Sequence, residues 1–258
     1  MNLLEGRIVL VTGAGAGVGA SIMRVFSDFG ASVFGCARRT DAGEEIAASI
    51  RAAGKRATFM SADITVAEDR KRVVDACLAE HGRIDVLLNN AGMRGALMAV
   101  EDMTLEEWNR IFSLNLTSVF GMCHLVLPHM QKQRDGVILN ISSNTSYIAM
   151  AKMGAYCSSK AGLTQFTKVL AVEGHKYNIR ANAIMLGGTR SEMSDQMSTA
   201  KTLEKDRKRR MDPDEVAQAL ALFCSPYARL ITAAEIALDE AVAAGRVLSV
   251  LTHKAMES

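Results

Sequence analysis

A chain of 258 residues is long enough for one large α/β domain with a substantial core, and its net charge of +2, from 30 basic and 28 acidic side chains, sets up no field that would select nucleic acid or a membrane as the main partner. Cys36, Cys77, Cys123, Cys157 and Cys224 are odd in number, scattered and without a Cys-x-x-Cys pair, which argues against structural disulfides and zinc ribbons. Glu5 and Arg7 interrupt the N-terminus and no run of about 18 apolar residues occurs, so neither a signal peptide nor a membrane span is expected, and the reducing cytoplasm is the expected location.

Short β-branched runs alternate with amphipathic stretches from residue 7 onwards. Segments 7–11, 32–36, 57–61, 86–89, 137–142, 179–184 and 236–238 read as strands. Their near-continuous apolar character suits a mainly parallel sheet covered on both faces. Between them the first helix carries Val18, Ile22, Val25, Phe26 and Phe29 on one face, with Gly30 as its stop. Gly54 and Gly82 close the next two helices, and Asp41 with Glu44, and Asp212 with Pro213 and Glu215, read as helix starts. No linker or repeat breaks this rhythm, so the expectation is a single doubly wound Rossmann-type domain over 1–258, seven-stranded with helices on both faces. The polar stretch 187–211 departs from it and is expected to be a lid over a site; its end, Lys205, Arg207, Lys208, Arg209 and Arg210, reads as solvated helix surface or as a dock for an acidic carrier protein or a phosphate-bearing substrate.

Directly after the first strand comes Thr12-Gly13-Ala14-Gly15-Ala16-Gly17-Val18-Gly19. A pyrophosphate needs backbone N–H groups aimed at it from a helix N-terminus and no β-carbon in the way, which glycines in a strand-turn-helix setting provide. Tyr156 and Lys160 are four apart in a strongly helical stretch and share a face. The cation is expected to favour the phenolate and lower a pKa that is ordinarily about 10. Tyr147, Tyr177 and Tyr227 have Ala151, Ala181 and Ile231 at the same offset, so Tyr156 alone has a lysine there.

The spacing Thr-Gly-x-x-x-Gly-x-Gly resembles that of the short-chain dehydrogenases/reductases, and the resemblance continues to about residue 240 through Asn89-Asn90-Ala91-Gly92, Asn115, Ser143 and Tyr156 with Lys160. It implies an oxidoreductase that moves a hydride between a nicotinamide cofactor and an alcohol/ketone pair, with Asn115, Ser143, Tyr156 and Lys160 as the catalytic tetrad. Tyr156 would exchange the proton, Ser143 would bond the same oxygen, Lys160 would hold the ribose, and the backbone of Asn115 would hold a water. Gly13, Gly15, Gly17, Val18, Gly19, Asn90, Ala91 and Gly92 would line the cofactor, with Asp63 and Ile64 at the adenine and Gly187 and Thr189 at the carboxamide. Leu186-Gly187 stands where the family usually has Pro-Gly, and Leu238-Asp239-Glu240-Ala241 where it has Val-Asp-Gly-Gly. A homotetramer is implied, with the apolar stretches 105–130 and 161–172 shared between subunits.

The acid that bonds the ribose in an NAD enzyme is replaced by Ala37, followed by Arg38 and Arg39, and guanidinium groups suit a 2′-phosphate, so NADP(H) is expected rather than NAD(H). Met93, Met150, Met153, Leu186, Met193 and Met197 flank the tetrad and are expected to wall a pocket for an apolar ketone or a 3-oxoacyl-type substrate. The five histidines lack metal-ligand spacing, and neither a Gly-x-Ser-x-Gly elbow nor a P-loop ending is present, so zinc, serine-hydrolase and NTPase chemistry are not expected. A sensor or scaffold of the same fold is the competing class, and its signature would be a broken tetrad.

Overall fold

The computed structural model describes residues 2–195, 202–208 and 210–242. Seven parallel strands form the sheet: β1 (Ile8–Thr12), β2 (Ser32–Ala37), β3 (Ala57–Ser61), β4 (Val86–Asn89), β5 (Gly136–Ile141), β6 (Ile179–Leu186) and β7 (Glu235–Leu238). They lie in the order β3-β2-β1-β4-β5-β6-β7 and every pairing is parallel. The helices are α1 (Gly17–Asp28), α2 (Thr40–Ala52), α3 (Ala67–His81), α4 (Leu105–Phe112), α5 (Ser118–Gln133), α6 (Gly154–Gly174), α7 (Glu192–Asp195), α8 (Leu203–Lys208) and α9 (Pro213–Cys224).

Alternation along each strand sends neighbouring side chains to opposite faces. Val9 and Val11 of β1 enter one core with Ile22 and Phe26 of α1, Ile50 of α2 and Leu220 of α9; Ile8 and Leu10 enter the other with Val73 of α3, Val126 and Met130 of α5 and Leu170 of α6. Phe26 has no exposed surface, and burying a side chain of that size contributes about 2 to 3 kcal/mol. Leu105–Gln133 is long and apolar enough to cross a membrane by length and composition. Within the fold, its α5 portion lies against α3, β4 and β5, which accounts for the apolar face formed by Val119, Met122, Cys123, Val126 and Met130.

β3 and β4 have the expected bounds and the other strands differ from them by one or two residues, β6 running on to Leu186. One cap differs in kind. Asp41 lies inside the first turn of α2 after an uncapped Arg39, so its carboxylate acts on the helix dipole and not as the cap. Asp212 does cap α9, accepting from the Asp214 N–H, with Pro213 at the first position. Gly54 and Gly82 take φ of +77° and +73° after α2 and α3, the left-handed conformation that stops a helix at low cost.

The strand order reverses between β1 and β4, which puts the loops leaving the C-terminal ends of these neighbours beside each other, the place where open α/β sheets bind ligands. Past β7, Glu240 and Ala241 have φ of 51° and 66°, in the positions where the resemblance expects two glycines. A β-carbon in the left-handed region is strained, whereas glycine is not. Ala241→Gly should therefore stabilise the protein by about 1 kcal/mol, raising Tm by roughly 2 to 4 °C. Ala241→Val should lower it, and thermal unfolding of both variants that gives the opposite order would refute the strain.

Candidate active site

The site begins with the turn between β1 and α1. Gly13 has φ of +71°, and a β-carbon there would lie 2.8 Å from the Ala91 Cα; at Gly19 it would lie 2.0 Å from the Gly13 carbonyl oxygen. These two positions therefore require glycine for close packing of the turn. Gly15 lies beside Ala37, and Gly17 faces Ser191. No side chain caps α1 and no acid occupies its first turn, so the helix presents unoccupied N–H groups and the positive end of its dipole with nothing to compete for an anion.

Thr12 fastens this turn to the loop after β4. Its hydroxyl accepts the N–H groups of Asn90 and Ala91 at 3.1 and 3.2 Å and donates to the Leu88 carbonyl at 3.4 Å, while the Asn90 amide donates back to the carbonyls of Thr12 and Gly13. The segment Asn90, Ala91, Gly92 is thus a structural buttress of the glycine turn. At the end of β3, Asp63 accepts from the backbone and hydroxyl of Thr65, and Ile64 is buried. Arg38 and Arg39 are exposed at the end of β2, with Arg39 bonded to Glu192 at 3.1 Å.

The tetrad residues are brought together from three elements. Ser143 follows β5, and its hydroxyl accepts the Thr145 N–H at 3.2 Å. Ser142, its neighbour, is turned the other way, donating to the Lys160 carbonyl at 3.0 Å. Tyr156 sits on the first turn of α6, where the Ser143 hydroxyl acts on its phenol. Lys160, one turn on, is buried, donates to the Ile141 carbonyl at 2.7 Å and holds its Nζ 5.9 Å from the centre of the Tyr156 ring. A β-carbon at Gly92 would lie 3.3 Å from both that Nζ and the Asn115 side-chain oxygen, so the three positions meet in one tightly packed corner.

The chain around Asn115 is not plain α-helix. Ser113–Thr117 forms one wide turn in which the Ser118 N–H bonds back five residues to the Ser113 carbonyl, a π-type insertion of the kind that frequently marks functional sites. The Asn115 side chain clamps the backbone of Met93, accepting its N–H and donating to its carbonyl, both at 2.8 Å, and reaches Ser159 at 3.1 Å. Nothing in the sequence around Asn115 signalled this wide turn or this clamp.

Electrostatics corrects one expectation. Burial pushes the Tyr156 phenol above its ordinary 10, against a downward pull from the Ser143 hydrogen bond and a smaller one from the Arg94 charge. Burial lowers Lys160 to about 8. Desolvation acts on both groups in the direction that favours their neutral forms, and the ammonium stands off the ring instead of binding the phenolic oxygen. Arg94, four residues beyond Asn90, was missed on the sequence because a lone arginine in a loop carries no spacing signal.

Beyond β6, Gly187 packs on Asp239 with no room for a β-carbon, and the buried Thr189 pairs with Met211. The two ends of 187–211 are therefore held together. Within it Arg207 and Arg210 both bind Asp195, and Lys208 binds Glu204, so these cations are spent locally. Of the expected pocket wall, Met153 is buried and Leu186 packs on the core, Met93 takes a contact from Arg110, and Met150 is exposed with Met193 partly so. Met197 and Arg209 lie outside the described residues, as does the Lys205 side chain.

The family model described as short chain dehydrogenase matches residues 7–202. The chain is 33% identical over 245 residues to a cyclopentanol dehydrogenase of Comamonas sp. (strain NCIMB 9872), covering 93% of this chain and 98% of that protein. It is 34% identical over 238 residues to a 3-oxoacyl-[acyl-carrier-protein] reductase of Vibrio cholerae, covering 90% and 95%. A crystal structure of a 3-ketoacyl-(acyl-carrier-protein) reductase from Brucella melitensis complexed with NADH superposes with a TM-score of 0.84 at 30% identity, covering 92% and 98%. The chain belongs to the short-chain dehydrogenase/reductase family, oxidoreductases that act on alcohol/ketone pairs with a nicotinamide cofactor.

Proposed function

We propose that the protein is an NADP(H)-dependent oxidoreductase interconverting a secondary alcohol and its ketone, with Tyr156 as the acid-base group and Ser143, Lys160 and Asn115 as its partners. The observation that carries this reading is the buried Lys160 one helical turn beyond Tyr156, its Nζ 5.9 Å from the ring centre, with the Ser143 hydroxyl acting on the same phenol. When bound, the nicotinamide supplies or accepts the hydride at the carbonyl carbon. In reduction Tyr156 gives its proton to the carbonyl oxygen, and Ser143 donates a hydrogen bond to the same oxygen as charge develops on it. Lys160, with a value near 8, is placed to return a proton to the phenol side of the site. Asn115 acts on this group by fixing the Met93 loop opposite it.

The turn fits a dinucleotide. Gly13 and Gly19 let the turn close against Ala91 and on itself, and α1 offers an N-terminus free of competing carboxylates. Gly15, Gly17, Val18 and Asn90 to Gly92 border the phosphates, Asp63 and Ile64 the adenine, and Gly187 with Thr189 the carboxamide. NADP(H) is favoured because Ala37 offers no carboxylate and exposed Arg38 and Arg39 do offer guanidinium groups; the Brucella relative was crystallised with NADH, so the choice rests on these residues. Relatives named for a cyclic alcohol and a 3-oxoacyl chain support a carbon skeleton held against Met150 and Met193. The commitment of Arg207, Arg210 and Lys208 to acids of the same segment favours a free small molecule over a carrier-bound one. Within one domain, segment 187–211 serves as the lid.

A cytoplasmic homotetramer belongs to the same proposal. All five cysteines are free, and burial pushes Cys36, Cys77, Cys123 and Cys224 up to about 12. Leu105, Phe120, Val169 and Val172 expose apolar surface on the helices expected at subunit contacts.

Tyr156→Phe removes the transferable proton and keeps the ring, so NADPH binding should survive while turnover falls by about 10² to 10⁴. Because the phenol is held above 10, alcohol oxidation by the native protein should rise with pH through the alkaline range, and ketone reduction should fall there. Full activity of the variant would refute the mechanism.

Cofactor choice is tested by replacing Ala37 with Asp and Arg38 with Gln, which should shift preference from NADPH to NADH. Equal affinity of the native protein for both cofactors would exclude the role given to the arginines.

Lys160→Met tests burial of the lysine. The folded state loses the proton near 8 and the unfolded chain near 10.5, so the unfolded state binds more protons between these values and native stability gains with pH across them. Measured without added nucleotide, the variant's stability relative to the native protein should therefore be highest near pH 7 and shrink towards pH 10.5. A difference that does not vary with pH would contradict the shift.

A further inference from the structure

Resting on the reaction proposed at Tyr156, we infer that Arg94 recognises a carboxylate on the substrate, so that the preferred pair is a hydroxy acid and its oxo acid. Arg94 leaves β4 four residues after Asn90, on a loop fixed at three points. The Asn115 side chain holds Met93 in both directions. Gly95, with φ of +75°, packs against Ile111 so closely that a β-carbon would lie 2.4 Å from it. Met98 pairs with Met153, the residue just before α6, through the Lys152 carbonyl. Arg94 is therefore carried on a rigid strip alongside the turn that bears Tyr156.

The Nε and Nη1 of Arg94 are buried and have no hydrogen-bond partner among the described residues. Arg94 as a whole is only partly buried, and buried guanidinium nitrogens are ordinarily paired in folded proteins, so these two donors are open to an acceptor. The acid that reaches this loop is already saturated: Glu107 binds Arg110 through both oxygens and accepts the Ala96 N–H. The charge of Arg94 is felt by the Tyr156 phenol, so the strip that carries it lies within electrostatic reach of the reacting group. A hydroxyl or ester carbonyl would satisfy one donor and leave the charge uncompensated. A carboxylate does both, in the charge-assisted geometry that arginine favours. The exposed Met150 and partly exposed Met193 remain for the rest of the carbon chain, so the wholly apolar ketone expected from the methionines becomes an amphipathic one.

The probes are 2-, 3- and 4-oxopentanoate, each against its own methyl ester, in two measurements. Reduction is followed by NADPH consumption, and binding to the Tyr156→Phe protein carrying NADPH by fluorescence of the single tryptophan, Trp108. At least one acid should exceed its ester by about 30-fold in kcat/KM, the factor equivalent to about 2 kcal/mol for a buried charge pair. Arg94→Gln should erase the difference by raising KM for the acid alone, with the NADPH Kd unchanged and any change in kcat common to acid and ester. Arg94→Lys, which keeps the charge and loses the fork, should retain part of it. Acid and ester treated alike by the native protein, or an acid preference that survives Arg94→Gln, would overturn the inference. Turnover that survives Tyr156→Phe would overturn the proposed reaction instead, and the binding series then judges Arg94 by itself. Should no probe turn over, an acid preference in binding that depends on Arg94 supports the inference and its absence refutes it.

Discussion

The geometry of the site depends on how α6 is pinned to the sheet. The Lys160 carbonyl accepts hydrogen bonds from Ser142 and from Thr164, both at 3.0 Å, and these two hydroxyls also touch each other at 2.9 Å. One turn further, Thr167 accepts from Asn140, which accepts from Asn89. All of these residues are buried, and each is flanked by apolar contacts that would tolerate sliding. The polar seam would not: moving α6 by one residue would orphan several donors at about 1 to 3 kcal/mol each. The seam therefore sets the register that places Tyr156 beside Ser143 and Lys160 beneath the end of β5. Because neighbours in a strand point to opposite faces, Ser142 serves the seam and Ser143 the site.

Much of this was legible from the order of residues, for identifiable reasons. Runs such as 86–89 are apolar because both faces of a parallel sheet are covered, and the glycines at 13 and 19 stand where a side chain would strike the Ala91 backbone or the Gly13 carbonyl. The four-residue offset of Tyr156 and Lys160 is helix geometry and nothing else. What was illegible depends on tertiary contacts. The wide turn at Ser113–Thr117 has no composition of its own, since Ser-Leu-Asn-Leu-Thr would also fit ordinary helix, and it exists because Asn115 is held by Met93 and Ser159. Arg94 is one loop cation among 30 basic residues until its two buried, unpartnered nitrogens are seen.

Spacing also misled about charge. A lysine four residues from a tyrosine suggests an ammonium stabilising a phenolate, and in water that would follow. Here both groups are desolvated, and the cost of keeping either charged exceeds their attraction at 5.9 Å from ring centre to Nζ. A phenol that stays protonated at neutral pH suits the donor in ketone reduction, and a lysine near 8 suits a group that gains and loses a proton during the cycle. Ser143 is the neighbour that acts on the phenolic oxygen directly.

The glycine turn and segment 187–211 are mechanically joined. Gly17 lies against Ser191, and Arg39, after β2, binds Glu192 on α7. Both partners of that ion pair are largely exposed, which limits its contribution to about 1 kcal/mol or less. A phosphate offers a guanidinium a stronger, charge-assisted bond than an exposed carboxylate does, so Arg39 can leave Glu192 at little cost when an anion arrives beside Arg38. The far ends of the segment are held regardless, by Thr189 and Met211 and by Gly187 against Asp239. The proposed lid is thus anchored at its base and only weakly latched at α7, and the latch is an arginine that the proposed 2′-phosphate would engage. Cofactor choice and lid position then become one electrostatic event, set by residues that begin at Ala37, where a carboxylate would have kept Arg39 and the lid out of it.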